Sequence, residues 1–144
     1  MISIVTVNFN GLELTVDLLN SIRRVTYSNL EIFVVDNASR ENPQQFLHDH
    51  YPEVKSIRSE QNLGFAGGNN LAVRQATGDL LFFINNDAEI REGALDRLVA
   101  AFEDNSKLGM VSPLICYYNE SKGSNVDLIQ YAGMTQVQDR KSVV

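Results

Sequence analysis

The sequence predicts an α/β fold, a mainly parallel sheet with helices on both faces. Three observations lead there. Short, continuously apolar runs at 2–7 ("ISIVTV"), 30–36 ("LEIFVVD") and 79–85 ("DLLFFIN") read as strands buried on both faces. Stretches with apolar residues at helical spacing lie between them, as right-handed βαβ units require. Each strong run also finishes in Asn or Asp: "TVNFN", "VVDNAS" and "INND".

In chain order, the first strand is followed by "LELTVDLLNSIRRV", where Leu12, Val16, Leu19 and Ile22 form one apolar stripe of a helix. After the second strand, "NPQQFLHDHY" predicts a short helix with Asn42 as N-cap and Pro43 at the first helical position. "VKSIRS" (54–59) predicts a weaker, edge-like strand. The Gly-rich "NLGFAGGNN" (62–70) reads as a loop that opens the helix "LAVRQAT", with Gly78 as its C-cap. The third strong strand follows, then a helix over 93–104 with Leu95, Leu98, Val99 and Phe102 on one face. "GMVSPLICYY" (109–118) predicts a strand interrupted by Pro113, hence an edge or a bulge. "SKGSN" is a loop, "DLIQYAG" a last short strand, and the tail carries no recognisable element. The division expected is an α/β domain over 1–118 and the start of a second region over 119–144.

Composition narrows the function. The chain has 144 residues, 44% of them hydrophobic and 21% charged, which fits one soluble globule. A net charge of −6, with scattered Lys and Arg, argues against nucleic acid as a partner. A single cysteine, Cys116, excludes an intrachain disulfide and fits a reducing compartment. The apolar start is too short for a signal peptide or a membrane span, so a cytoplasmic location is expected.

Ligands of open α/β sheets bind beyond the carboxyl ends of the strands, near a topological switch point. In the strand order 3-2-1-4, the ends carrying Thr6 and Asn8, Asp36 and Asn37, and Asn85-Asn86-Asp87 share one edge. For Asp36 the competing readings are an Asx-turn or N-cap for the next segment and an acceptor for a pyrimidine ring N–H. The Asn85-Asn86-Asp87 triplet is less easily a helix cap, because the next helix starts only near Gly93. "GFAGGNN" follows neither the Rossmann nor the P-loop pattern, leaving a flexible loop whose glycines let backbone approach a ligand. His48 and His50 have no Cys or third His nearby and read as a solvated helix end. Tyr117 and Tyr118 read as strand packing rather than a stacking platform. No Ser sits on a sharp Gly-flanked elbow, so a Ser-His-Asp site has no support.

"ISIVTVNFNGLELTVDLLNSI", "LEIFVVDNAS" and "NLGFAGGNNLAVRQATGDLLFFINNDAEI" together resemble the N-terminal half of a family 2 glycosyltransferase, most closely the rhamnosyltransferase-like group. The resemblance runs from Ile2 to about Pro113 and more loosely to Gly133. It implies the GT-A fold, truncated here before the acceptor-binding half. It further implies that Thr6 and Asn8 line the nucleoside pocket and that Asp36 pairs with the pyrimidine ring. Asn69 would lie near the donor sugar and diphosphate. "NND" stands in place of the family's D-x-D motif, with Asn85 and Asn86 as nucleotide-sugar contacts and Asp87 keeping the metal-binding position for Mg²⁺ or Mn²⁺. Such an ion needs only one or two protein carboxylates when phosphate and water supply the rest.

The activity so implied is inverting, metal-dependent transfer from a nucleoside-diphosphate sugar, dTDP-rhamnose or a UDP-sugar, to a surface glycan, lipid-linked or free. The full-length protein would work at the inner face of the membrane as a peripheral protein. The family's general base, an Asp or Glu downstream, has no counterpart after Gly133, so the catalytic residue is unassigned and expected beyond the C-terminus. Glu120, Asp127 and Asp139 stand in uncharacteristic contexts. The chain alone is expected to bind donor without turning it over, and to self-associate through apolar surface left uncovered. Two rival readings stand beside this one. A non-catalytic binding or assembly module on the same fold is one. A nucleotidyltransferase is the other, disfavoured because "NFNGLEL" lacks a basic residue.

Overall fold

A computed structural model describes residues 1–117 and 129–131. The chain forms two compact units, Met1–Gly93 and Ala94–Val144. Among the described residues no helix is long and apolar enough to cross a membrane.

The first unit alternates β1 (Ile2–Asn8), α1 (Leu12–Arg24), β2 (Leu30–Asn37), α2 (Gln44–His50), β3 (Val54–Ser59), α3 (Gly64–Val73) and β4 (Leu80–Phe83). All strand pairings are parallel and the order is β3-β2-β1-β4, as the sequence predicts. β1 and β2 are central, and their continuous apolar runs are buried throughout except Val7 and Leu30, both half-buried. On one sheet face Ile2, Ile4, Ile32 and Val34 are buried, as are Leu18, Leu19 and Ile22 of α1. On the other, Val5, Phe33 and Val35 form a core with Ala72 of α3. Within α1 the buried stripe is Thr15, Leu18, Leu19, Ser21 and Ile22, while the predicted Leu12 and Val16 are half-buried.

Four expectations are corrected. The Gly-rich segment is not a loop: residues from Gly64 onward are α3 itself. A Cβ on Gly68 would sit 3.0 and 3.1 Å from the two methyls of Val7, so this glycine lets the helix lie directly on β1. Gly78 does not cap α3, which ends at Val73. Its Cβ would fall 2.7 Å from the Ser3 backbone nitrogen, and it is there to permit that approach. β4 is not buried on both faces. It is an edge strand, with Leu81 and Phe83 exposed by 43% and 47%, because α3 covers β1 and β2 instead. Helix α2 begins one residue later than predicted. Pro43 occupies the cap, and Asn42 Oδ1 still accepts the Gln44 N–H at 3.0 Å.

Opposite the predicted site, at the amino-terminal edge of the sheet, lies a charged clasp that the sequence did not disclose. Glu31 is buried on β2 and accepts from Lys55 Nζ, Ser3 Oγ and the Thr77 backbone N–H, each at 2.6 Å. The Gly78 N–H reaches both Ser3 Oγ (2.9 Å) and Glu31 Oε1 (3.1 Å). Burial alone would raise this carboxyl. The Lys55 ammonium, then the Ser3 and Thr77 donors, outweigh it and hold the group at about 2.

In the second unit, α4 (Ala94–Asp104) buries Leu95 and half-buries Leu98, Val99 and Phe102. A two-stranded antiparallel sheet pairs β5 (Ile115–Cys116) with β6 (Ile129–Tyr131). The strand expected over 109–118 is thus reduced to two residues after Pro113, which has no N–H to give a ladder. Tyr117 lies past it, 54% exposed, rather than packed in a strand. Tyr118, Glu120, Asp127, Asp139, "SKGSN" and the tail fall outside the described residues.

Candidate functional site

Parallel register decides which strand-end residues meet. Asn8, Asp36 and Arg58 are paired across β1, β2 and β3, and Thr6, Val34 and Ser56 form the row behind them. Residues two apart on a strand share a face, so Thr6, Asn8, Asp36, Ser56 and Arg58 all project to one side of the sheet. This is the carboxyl edge that the sequence singled out.

At its centre is the Asp36 carboxylate, which is fully buried. Its Oδ1 accepts from Asn8 Nδ2 at 2.9 Å, and its Oδ2 from the Arg58 guanidinium and, at 3.3 Å, the Ser39 N–H. The last of these runs from the residue three positions on, the local capping bond of a short polar side chain rather than an Asx-turn, which closes two positions on. A carboxylate offers about four acceptor positions. Three are used here, so Asp36 retains capacity for one further donor. Arg58 Nη2 also donates to the Ser39 carbonyl at 3.0 Å, which fixes the guanidinium across the turn. That turn contains Ala38 at φ 66°, and the neighbouring turn after β1 contains Asn10 at φ 56°. Left-handed backbone at a non-glycine residue costs about 1–2 kcal/mol and concentrates at functional sites.

Asn37 faces the other side of the sheet. Its amide donates to Asn62 Oδ1 (3.0 Å) and the Gly64 carbonyl (3.1 Å) and accepts the Leu63 N–H (2.9 Å), tying the start of α3 to the end of β2. Asn69 of α3 is buried. Its Nδ2 donates to the Phe65 carbonyl, and its Oδ1 has no partner among the described residues. The Thr6 hydroxyl is likewise buried and unpartnered there.

β4 extends its ladder through Ile84, whose N–H reaches the Val5 carbonyl at 3.1 Å. Asn85 to Ala88 then form a turn, the Ala88 N–H donating to the Asn85 carbonyl at 3.2 Å. Asn85 and Asp87 are exposed on it, and Asn86 is half-buried with its amide donating to Gly11 and Thr15. The triplet is therefore a turn that presents polar groups, not a helix cap.

Among the described residues no group of three or more His, Cys, Asp or Glu could cage a metal ion. One exposed carboxylate does fit an ion that arrives on a diphosphate, since Mg²⁺ and Mn²⁺ then take most ligands from phosphate and water. Asp87 is the residue that would hold it.

The profile of the family described as "Glycosyl transferase family 2" matches residues 3–141. The chain belongs to glycosyltransferase family 2. A Haemophilus influenzae relative described as an uncharacterized glycosyltransferase is 29% identical over 111 residues, covering 77% of this chain and 37% of that protein. Among solved structures, S. aureus TarS in complex with UDP aligns at a TM-score of 0.66 and 23% identity, over 78% of this chain and 38% of that one. A mannosyltransferase, PcManGT from Pyrobaculum calidifontis in complex with GDP-Man and Mn²⁺, aligns at 0.64 and 21%, over 80% and 33%. These likenesses establish the GT-A fold. The chain spans less than half the length of the curated relatives it matches.

Three residues that the hydrogen bonds bring to this edge were missed in the sequence: Thr15, Ser39 and Arg58. Arg58 ends a strand that is weak by pattern, and only the register beside Asp36 reveals it. Thr15 stands beside the apolar stripe of α1 and carries no local signal in the sequence. Ser39 stood in quoted sequence without a role.

Proposed function

We propose that the first unit binds a nucleoside-diphosphate sugar, dTDP-rhamnose or a UDP-sugar, for inverting transfer to a glycan acceptor. The observation that carries the reading is the placement of Asp36 and Asp87 on one sheet edge, at the ends of β2 and β4, with β1 between them. A base-reading acceptor and a diphosphate-facing carboxylate are what such a donor requires.

In this reading a pyrimidine ring N–H takes the fourth acceptor position on Asp36, which is closed to solvent, so the partly exposed Arg58 on its Oδ2 must give way as the base enters. The unpartnered Thr6 hydroxyl lies on the nucleoside side, while Asn85 faces the ribose and Asn69 the donor sugar. A Mg²⁺ or Mn²⁺ ion at Asp87 would supply charge neutralisation of the departing diphosphate. The acceptor hydroxyl must lose a proton as it attacks the anomeric carbon, and that base belongs to the acceptor side, whose start we place at 119–144. A surface-glycan acceptor, membership of the rhamnosyltransferase-like group and work at the inner membrane face complete the proposal.

Calorimetric titration with UDP, dTDP, GDP and ADP, each with and without Mn²⁺, tests it. Pyrimidine diphosphates should bind and tighten with metal. Equal affinity for purine and pyrimidine nucleotides, or indifference to Mn²⁺, would refute the assignment of Asp36 or Asp87 respectively.

A further inference from the structure

One unbroken chain of hydrogen bonds crosses the whole carboxyl edge. Arg58 donates to Asp36, and Asn8 Nδ2 donates to Asp36 from the other side at 2.9 Å. Asn8 Oδ1 accepts from the Thr15 hydroxyl at 3.1 Å, and that hydroxyl accepts from Asn86 Nδ2 at 3.2 Å. The chain thus links β3, β2, β1 and α1 to the turn that carries Asp87.

Backbone groups fix the orientation of its two amides. The Gly11 N–H donates to Asn8 at 3.2 Å, so the atom it meets must be the Asn8 carbonyl. The Gly11 carbonyl accepts from Asn86 at 3.3 Å, so the atom it meets must be the Asn86 NH₂. Both amides on the path thus direct their NH₂ groups toward the Asp36 side, while the single Thr15 hydroxyl proton has two acceptors at 3.1 Å, Asn8 Oδ1 and the Gly11 carbonyl. Asn8 is also full. Its NH₂ serves Asp36 and Ser39, and its carbonyl serves Gly11 and Thr15, which leaves no capacity for a ligand.

We infer that Asn8, Thr15 and Asn86 are positioning residues: they set the turn that presents Asp87. The inference rests on the donor-site reading and changes the role of two residues within it. Asn8 and Asn86 hold the frame, and Asp36 and Asp87 meet the nucleotide. Gly11 belongs to the frame as well. A Cβ there would lie 3.1 Å from Asn86 Nδ2, so the turn approaches α1 as closely as a glycine allows.

The test compares wild type, Thr15→Val, Thr15→Ser and Gly11→Ala in the 144-residue chain. The readout is affinity for UDP and for UMP, with and without Mn²⁺, after circular dichroism confirms folding. Thr15→Val should lose roughly tenfold or more of the Mn²⁺-dependent tightening for UDP, the scale seen when a carboxylate ligand loses its supporting partner. Its metal-free UMP affinity should stay near wild type, and Thr15→Ser should restore the tightening. Gly11→Ala displaces Asn86 without touching the hydroxyl and should give the same loss. Wild-type tightening in both Thr15→Val and Gly11→Ala would overturn the inference while leaving the donor site standing. Equal loss for UMP and UDP would also overturn it. A wild-type chain that binds neither nucleotide would remove the donor-site reading itself, and this inference with it.

Discussion

Replacing Glu31 by Gln separates charge from shape at the clasp on the amino-terminal edge. The side chain is 7% exposed, and its carboxyl sits at about 2 against an ordinary 4.5. At about 1.36 kcal/mol per pH unit, that difference corresponds to roughly 3 kcal/mol of folding free energy at neutral pH. Lys55 is 54% exposed, so solvent screens its share. The glutamine carbonyl can still accept from Ser3 and Thr77, which retains part of the remainder. A loss of about 2 kcal/mol is therefore expected near pH 7, or roughly 4–8 °C in Tm. The sign of the pH dependence follows from the lowered carboxyl. Between 4.5 and about 2 the unfolded chain binds more protons than the folded one, so wild-type stability falls as pH falls through that window. Glu31→Gln cannot titrate, and its disadvantage should shrink toward zero near pH 2. Urea denaturation of both proteins at several pH values measures this. Parallel stability curves for the two proteins from neutral to acid pH would show that the ionised carboxylate is not what the clasp depends on.

Four further outcomes are expected. Asp87→Ala should abolish the effect of Mn²⁺ on nucleoside-diphosphate affinity while leaving metal-free binding within about twofold; a preserved metal effect in calorimetry would exclude Asp87 as the ligand. Gly78→Ala should destabilise by about 2–3 kcal/mol in thermal unfolding, because its Cβ would press on the Ser3 backbone and part β1 from the clasp. Gly64→Ala instead meets open space but must adopt φ near +70°, so a loss of only about 1 kcal/mol is expected there. Lastly, Leu81 and Phe83 leave apolar surface on β4, and sedimentation should show concentration-dependent self-association that paired Lys substitutions remove. A wild-type chain that sediments as a monomer at all concentrations would contradict that expectation.

The sheet was legible because a strand buried between helices has one signature, a short continuous apolar run. β1 and β2 have it for that reason. β4 carries the same signature without the same burial, since composition reports what a strand could bury and not what lies over it. Glycines 64, 67 and 68 were ambiguous in kind: a glycine serves loop mobility and tight helix packing equally well, and only the methyls of Val7 decide for Gly68. At the edge, Asp36 and Asp87 stood out because carboxylates at strand ends are conspicuous locally. Arg58, Thr15 and Glu31 did not, since each acquires its role from a partner at least seven positions away that register or helix docking brings near. A pattern read along one dimension has no access to such pairs.

The two rims of the sheet carry different burdens. Ser3, Glu31, Lys55, Thr77 and Gly78 fasten one rim, while Asn8, Asp36, Arg58 and the Asp87 turn occupy the other. Along β1 the five steps from Ser3 to Asn8 span roughly 16 Å. Effects at that distance usually add rather than interact. Substitutions that retune donor choice can thus accumulate on one rim while their thermodynamic cost is offset independently on the other. A scaffold divided in this way can diversify in specificity without renegotiating how it folds.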